Sequence, residues 1–215
     1  MHGWDLTPQQ AIALQQELRL KVVTRDRFGP VCTIAGVDVG FEEQGTVTRA
    51  AVAVLSFPDL KLISSAVARQ STRLPYIPGL LSFREVPAIL EALQSLPQAP
   101  DLLFCDGQGY AHPRRFGIAC HLGLLTELPS IGIGKRRLVG THHAVGTERG
   151  DQQYLYHHQE IVAVVLRNRS GVKPIYVSSG HRVSLASAVQ WVEAATTRYR
   201  LPEPIRQAHR LASGS

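Results

Sequence analysis

An α/β fold is predicted for this 215-residue chain, with a mixed sheet of five strands or slightly more and helices on both faces. Three observations predict it. Strand-like runs at 31–41, 50–57 and 60–68 follow one another with short links, as in an antiparallel meander. Beyond residue 80, helical and strand-like spacings alternate, the pattern of a sheet with helices packed on it. The run LLFC at 102–105 is wholly apolar, as expected of a strand covered on both faces.

The elements follow in order. Thr7-Pro8-Gln9-Gln10 offers a cap, a proline at the first helical position and a reciprocal glutamine. Ala11, Leu14, Leu18 and Val22 then fall on one helical face, and Arg25, Asp26 and Gly29-Pro30 end that helix. VCTIAGVDVGF at 31–41 is dense in Val and Ile, and Pro58-Asp59 marks the turn between the next two strands. Phe83, Val86, Leu90 and Leu93 give a helix over 82–96. After LLFC come a helix at 115–125 and a short strand at 130–133. Residues 140–158, with His142, His143, His157 and His158, are expected to form a polar excursion and are assigned no metal. Strands at 161–166 and 174–178 and helices at 184–198 and 203–212 complete a single expected domain, 1–215, without repeats or linkers.

Composition narrows the function. With 44% hydrophobic residues the chain is not a disordered tail, and it can bury roughly 70% of its extended surface. No stretch approaches ~18 uninterrupted apolar residues, so a membrane span is excluded as the organising feature. The first residues, MHGWDLTPQQ, lack a charged n-region and an apolar h-region. Together with three widely spaced cysteines, Cys32, Cys105 and Cys120, this leads to the expectation of a cytoplasmic protein with reduced thiols. Lys plus Arg number 23 against 17 Asp plus Glu, a net of +6, which favours a polyanionic partner, nucleic acid first.

Three acids stand out by position. Asp38 sits near the end of the strand GVDVG, Asp106 follows LLFC and opens the loop DGQGYAHP, and Glu85 lies in the first turn of a helix. Ligands of open α/β sheets gather beside the carboxyl ends of strands. Acids emerging there would make an oxygen cage for a hard cation such as Mg2+. Each has a plainer reading: a strand-end turn for Asp38, an Asx turn for Asp106, and a capping box, Ser82-Phe83-Arg84-Glu85, for Glu85. Gly107 and Gly109 permit close approach of a backbone or flat ring. His112, Arg114 and Arg115 offer donors for phosphate oxygens, and Lys135 ends the strand in GIGKRRL; a solvated basic rim is the alternative for Arg114, Arg136 and Arg137. Neither a P-loop nor a GxGxxG fingerprint is complete. Tyr76, held between prolines in LPYIPGL, is either a wedge for stacked bases or a ring packed under its loop. Cys105, at the end of an apolar run, is expected to be buried and inert.

Taken together, IAGVDVGF, LPYIPGLLSFRE, LLFCDGQGYAHPRRFG, GIGKRRL and LPEPIRQAH resemble the endonuclease V family, from about residue 6 to 212 and in the family's order. The resemblance implies an RNase H-like fold. It also implies a Mg2+-dependent DNA repair endonuclease, with Mn2+ expected to substitute. The implied cut is at the second phosphodiester 3′ to deoxyinosine or a related deaminated base, leaving a 3′-hydroxyl and a 5′-phosphate. It implies Asp38, Glu85 and Asp106 as metal ligands, and His112, Lys135 and His209 as further catalytic groups. Tyr76 becomes the strand wedge, and Gly79, Leu81, Gly107, Gly109 and Leu138 the pocket for the flipped base. Gly134 stands where the family commonly has alanine. A monomer is expected, with DNA containing deaminated bases as partner. The alternatives are an RNase H-like ribonuclease acting on inosine-containing RNA, and an inactive nucleic-acid-binding module.

Overall fold

A computed structural model describes residues 2–214; Met1 and Ser215, the ends of the expected domain, lie outside the described residues. One eight-stranded sheet organises them, built from β1 (Thr33–Glu42), β2 (Val47–Ser56), β3 (Leu62–Ser71), β4 (Leu102–Asp106), β5 (Ser130–Gly134), β6 (Gln152–His157), β7 (Glu160–Leu166) and β8 (Ile175–Ser179). Its order is β3-β2-β1-β4-β5-β8-β7-β6. The meander expected at the N-terminal end is present, with β1 antiparallel to β2 over its whole length and β2 antiparallel to β3. At the centre β1, β4 and β5 run parallel. This is the RNase H-like arrangement, widened by the antiparallel strands β8, β7 and β6.

Five α-helices occur among the described residues, α1 (Pro8–Leu18), α2 (Leu81–Gln94), α3 (Ile118–Thr126), α4 (Leu185–Ala194) and α5 (Glu203–Ala212). The last four cover the sheet, and α1 packs outside them through Ala11 and Leu18 against Leu80, Phe83, Phe116 and Cys120. Strand alternation divides the core. Ile34, Leu102, Phe104, Ile131 and Ile133 pack with Val189 and Val192 of α4 and Ile205 of α5. Ala35, Val37, Leu103 and Cys105 face the other way, against Val86 and Ile89 of α2 and Ala119 and Leu122 of α3. The central strands are therefore apolar on both sides, as LLFC predicts. No helix among the described residues is long and apolar enough to cross a membrane.

Several boundaries differ from expectation, each for a local reason. The Thr7 capping box forms, with Gln10 Oε1 accepting from the Thr7 N–H at 2.8 Å. The helix nevertheless ends at Leu18, and Val22 is extended. The segment beyond is captured by the 181–182 turn, where His181 Nδ1 accepts from the Val23 N–H and the Val23 carbonyl accepts from Arg182. The second capping box does not form, because Ser82 already lies inside α2 and its hydroxyl meets His121 Nδ1 at 3.0 Å. The helix expected from 115 starts at Ile118, since Arg115 takes a left-handed φ of 57° and Gly117 is extended. The polar excursion at 140–158 contains β6, an edge strand of which only Leu155 is buried. Its hairpin turn uses His158 and Gln159, both at positive φ, in place of glycine. Cys105 is fully buried, and burial raises its thiol well above the ordinary range, as its inert reading requires.

Candidate active site

The site begins with an alternation in β1. Side chains two apart share a strand face, so Gly36, Asp38 and Gly40 lie on one face. That face receives α5 at very close range. A Cβ on Gly36 would fall 1.9 Å from the Pro204 carbonyl oxygen, and one on Gly40 would fall 2.4 Å from that of Ala212. With the two glycines as its seat, α5 brings His209 Nδ1 to 2.7 Å from Asp38 Oδ2. The other Asp38 oxygen accepts the Val39 N–H at 2.8 Å.

Asp106 ends β4 beside β1, where their parallel pairing has just stopped at Val37 and Cys105. Lys135 follows the last residue of β5 and places Nζ 2.5 Å from Asp106 Oδ2. Asp38, Asp106 and His209 each offer a ligand atom, and these atoms lie within 4.8 Å of one another. Glu85, in the second turn of α2, stands outside that group but within its field. Burial first, then the charges of Asp38 and Asp106, push its pKa up to about 8. Burial and Asp38 likewise raise Asp106 to about 6, against the opposing pull of Lys135. Crowded this way, Glu85 holds its proton near neutral pH unless a cation offsets the surrounding charge, whereas Asp106, paired with Lys135, is only made easier to protonate. Two carboxylates, an adjacent third and one imidazole fit a divalent cation of the hard class.

A cavity of about 120 Å3 opens beside the acids, lined by both Glu85 and Asp106. It brings together Tyr76, Gly79, Leu81, Gly107, His112 and Leu138, which are spread from residue 76 to residue 138 of the sequence. Tyr76 is 66% exposed on its proline-flanked loop. Gly109 does not line this cavity. It is buried against β8, where a Cβ would meet the Ser179 carbonyl oxygen at 2.1 Å.

The basic residues of the 107–117 loop divide in a way the sequence does not reveal. Arg115 is buried: Nε donates to Glu160 Oε2 at 2.8 Å, and the fork also engages the carbonyls of His112 and His157. It ties the loop to the β6–β7 hairpin and is not presented to a phosphate. Arg114 is half-buried, with Nε on Gln15 Oε1 and Nη2 on the Gly79 carbonyl. His112 is buried and pushed down to about 4, chiefly by desolvation, so it is neutral near pH 7. Its Nε2 donates to the Gly79 carbonyl at 3.1 Å, which leaves Nδ1 to accept from the Arg114 N–H at 3.2 Å. The residues that sequence reasoning missed are Gln15, Ser82 and Gln108. The last two line the cavity, and Gln15 lies buried behind Gly79. Gln108 precedes Gly109 in a motif read for its glycines, and Ser82 was absorbed into a capping pattern.

Comparison with known proteins gives one answer. The family model for endonuclease V matches residues 16–210. The endonuclease V of Azotobacter vinelandii is 58% identical over 210 residues, covering 98% of this chain and 95% of that protein. The crystal structure of endonuclease V from Streptomyces avermitilis superposes with a TM-score of 0.93 at 42% identity, over 99% of this chain and 94% of that one. Endonuclease V of Ciona intestinalis was crystallised with a 23mer DNA containing an inosine followed by a ribo-adenosine. It matches with a TM-score of 0.84 at 27% identity, over 97% and 98% of the two chains. On the family match over residues 16–210, the sequence identity and the superposition, the chain belongs to the endonuclease V family.

Proposed function

We propose that this chain is a single-domain, Mg2+-dependent repair endonuclease. It hydrolyses the second phosphodiester 3′ to deoxyinosine and related deaminated bases in DNA, leaving a 3′-hydroxyl and a 5′-phosphate. The observation that carries the reading is the cavity that shares Asp106 with the Asp38–Asp106–His209 cluster and has the neighbouring Glu85 in its wall. A base held in the cavity places its own strand beside groups suited to bind a divalent cation.

In this reading Asp38, Asp106 and Glu85 hold Mg2+, with Mn2+ able to replace it, and His209 borders that site. The bound metal supplies charge neutralisation at the phosphate and acidifies water. The chain's own residues do the rest. His209 Nδ1, at 2.7 Å from Asp38, orients that carboxylate and keeps an exposed ring at the site edge. Lys135, anchored on Asp106, supplies positive charge for the phosphate oxygens. His112, neutral and doubly hydrogen-bonded, shapes the wall beside the scissile strand. Tyr76 offers its exposed ring to the gap left by the extruded base, which offsets part of the few kcal/mol that extrusion costs. Gly79, Gly107, Leu81 and Leu138 form the pocket, and Arg114 borders it from behind.

The test is an end-labelled duplex carrying one deoxyinosine, incubated with Mg2+ or with chelator, beside folded Asp106→Ala. A Mg2+-dependent nick one nucleotide beyond the lesion, absent in the variant, is the expected result. Binding without a nick would make the chain an inactive binding module. An uncut DNA with a cut RNA counterpart would move the substrate to inosine-containing RNA.

A further inference from the structure

Helix α1 faces the core with Ala11, Leu18 and, between them, Gln15, which has no exposed surface at all. A wholly buried amide is unfavourable unless both its ends are paired. Here both are. Oε1 accepts from Arg114 Nε at 2.5 Å, and Nε2 donates to the Gly79 carbonyl at 2.9 Å and toward the Phe116 carbonyl at 3.4 Å. The amide orientation is fixed by chemistry, because a guanidinium only donates and a carbonyl only accepts.

Gly79 is where these bonds converge. Its carbonyl receives Gln15 Nε2, Arg114 Nη2 at 2.8 Å and His112 Nε2 at 3.1 Å. Its φ of 81° is a conformation that only glycine adopts freely, so neighbours rather than local sterics must hold the peptide that follows. A Cβ there would sit 2.8 Å from the Arg114 guanidinium, so the glycine also makes room for that clamp. Gly79 belongs to one wall of the cavity, while His112 and Gly117 belong to the facing 107–117 loop. Gln15 therefore bonds both loops at once, from a helix that lines neither.

The geometry points to Gln15 as a positioning residue that sets the spacing of the two cavity walls and, through them, discrimination between inosine and undamaged bases. The inference rests on the cavity being the base pocket of the proposed function. An apolar side chain at 15 removes a donor from Gly79 and the acceptor of Arg114 Nε together, releasing the walls from each other. A shape-reading pocket loses much of its selectivity when walls shift by a fraction of an ångström.

The experiment compares the parent chain with Gln15→Met and Gln15→Glu, both near the original volume. Glutamate keeps an acceptor for Arg114 and takes the donor from Gly79. Cleavage kinetics are measured on a duplex with one deoxyinosine, and affinity on the same duplex with guanine. Both variants are expected to lose roughly tenfold to a hundredfold in kcat/KM for the inosine duplex, mostly through KM. Affinity for the undamaged duplex is expected to stay within about twofold, since phosphate contacts dominate it. If both variants discriminate as the parent does, or if affinity for the guanine duplex falls as far as kcat/KM for the inosine duplex, the inference is overturned. Should Gln15→Met not fold, Gln15→Glu decides alone. A parent chain that leaves the inosine duplex uncut overturns the proposed function instead, and is scored before any variant.

Discussion

Two kinds of buried ionisable residue behave oppositely here. Asp106 and Glu85 are acids held in a field of like charge, and that stress has a use only if a cation relieves it. Asp38→Asn and Asp106→Asn should therefore each lower the single-turnover cleavage rate at least ~100-fold, the scale of losing one strong electrostatic group. Binding to an inosine duplex should survive in both, which a mobility-shift titration checks. His121 has no such use in the proposed chemistry. It is fully buried, hydrogen-bonded to Ser82 and His2, and burial pushes its pKa down to about 3 from an ordinary 6.5. The unfolded chain takes up this proton as pH falls through 6.5 and the folded chain does not. The stability this neutral imidazole contributes is thus present above pH 6.5 and is lost progressively below it. Between pH 7 and 5 that one linkage amounts to about 2 kcal/mol. Chemical denaturation of His121→Gln at both pH values should show a correspondingly smaller acid loss than the parent.

At the scale of elements, the fit of α5 on β1 is the tightest constraint on the site. Gly36→Ala forces a methyl group into the Pro204 carbonyl, so helix or strand must move. A loss of about 1–3 kcal/mol is expected from such overpacking. Cleavage should fall with it, because His209 rides on the displaced helix. Gly29→Ala, with nothing near its Cβ position, should leave both the denaturation midpoint and the rate unchanged. This packing also explains what was legible beforehand. The helix at 203–212 could be read to the residue from its own spacing, and Asp106 does end β4, but Asp38, expected near a strand end, lies mid-strand because β1 runs on to Glu42 against β2. The nearness of His209 to Asp38 could not be read, since 171 residues separate them and no spacing rule spans that distance. A local trace of it did exist: GVDVG puts small residues on both sides of an acid along one strand face, as a strand needs when a helix backbone lies against it. The inward turn of Arg115 had no trace, because Arg114-Arg115 reads as two equivalent cations until Glu160 is placed beside one of them. Strand β6 was hidden for a related reason: an edge strand buries one face at most, and QQYLYH buries a single leucine.

The whole molecule carries a net charge of +6, and its surface charge bears on nucleic-acid affinity more than on fold. Exposed Arg136 and Arg137 follow Lys135 directly, beside the acidic cluster. If both contact phosphates, Arg136→Ala/Arg137→Ala should flatten the slope of log affinity against log salt by about two, one per released contact. Titrations of one duplex between low and moderate salt measure that slope, and an unchanged value would place the pair off the DNA path. The arrangement of the chain has a further consequence, in time rather than in space. A ribosome delivers Asp38, Glu85 and Asp106 well before α5, and domains begin to fold from the N-terminal end during synthesis. Until α5 arrives, the glycine-lined face of β1 is bare and Asp38 has no imidazole beside it. The nascent chain thus exposes its acids in a half-built setting, and the imidazole that completes the cluster is withheld until α5 has been made.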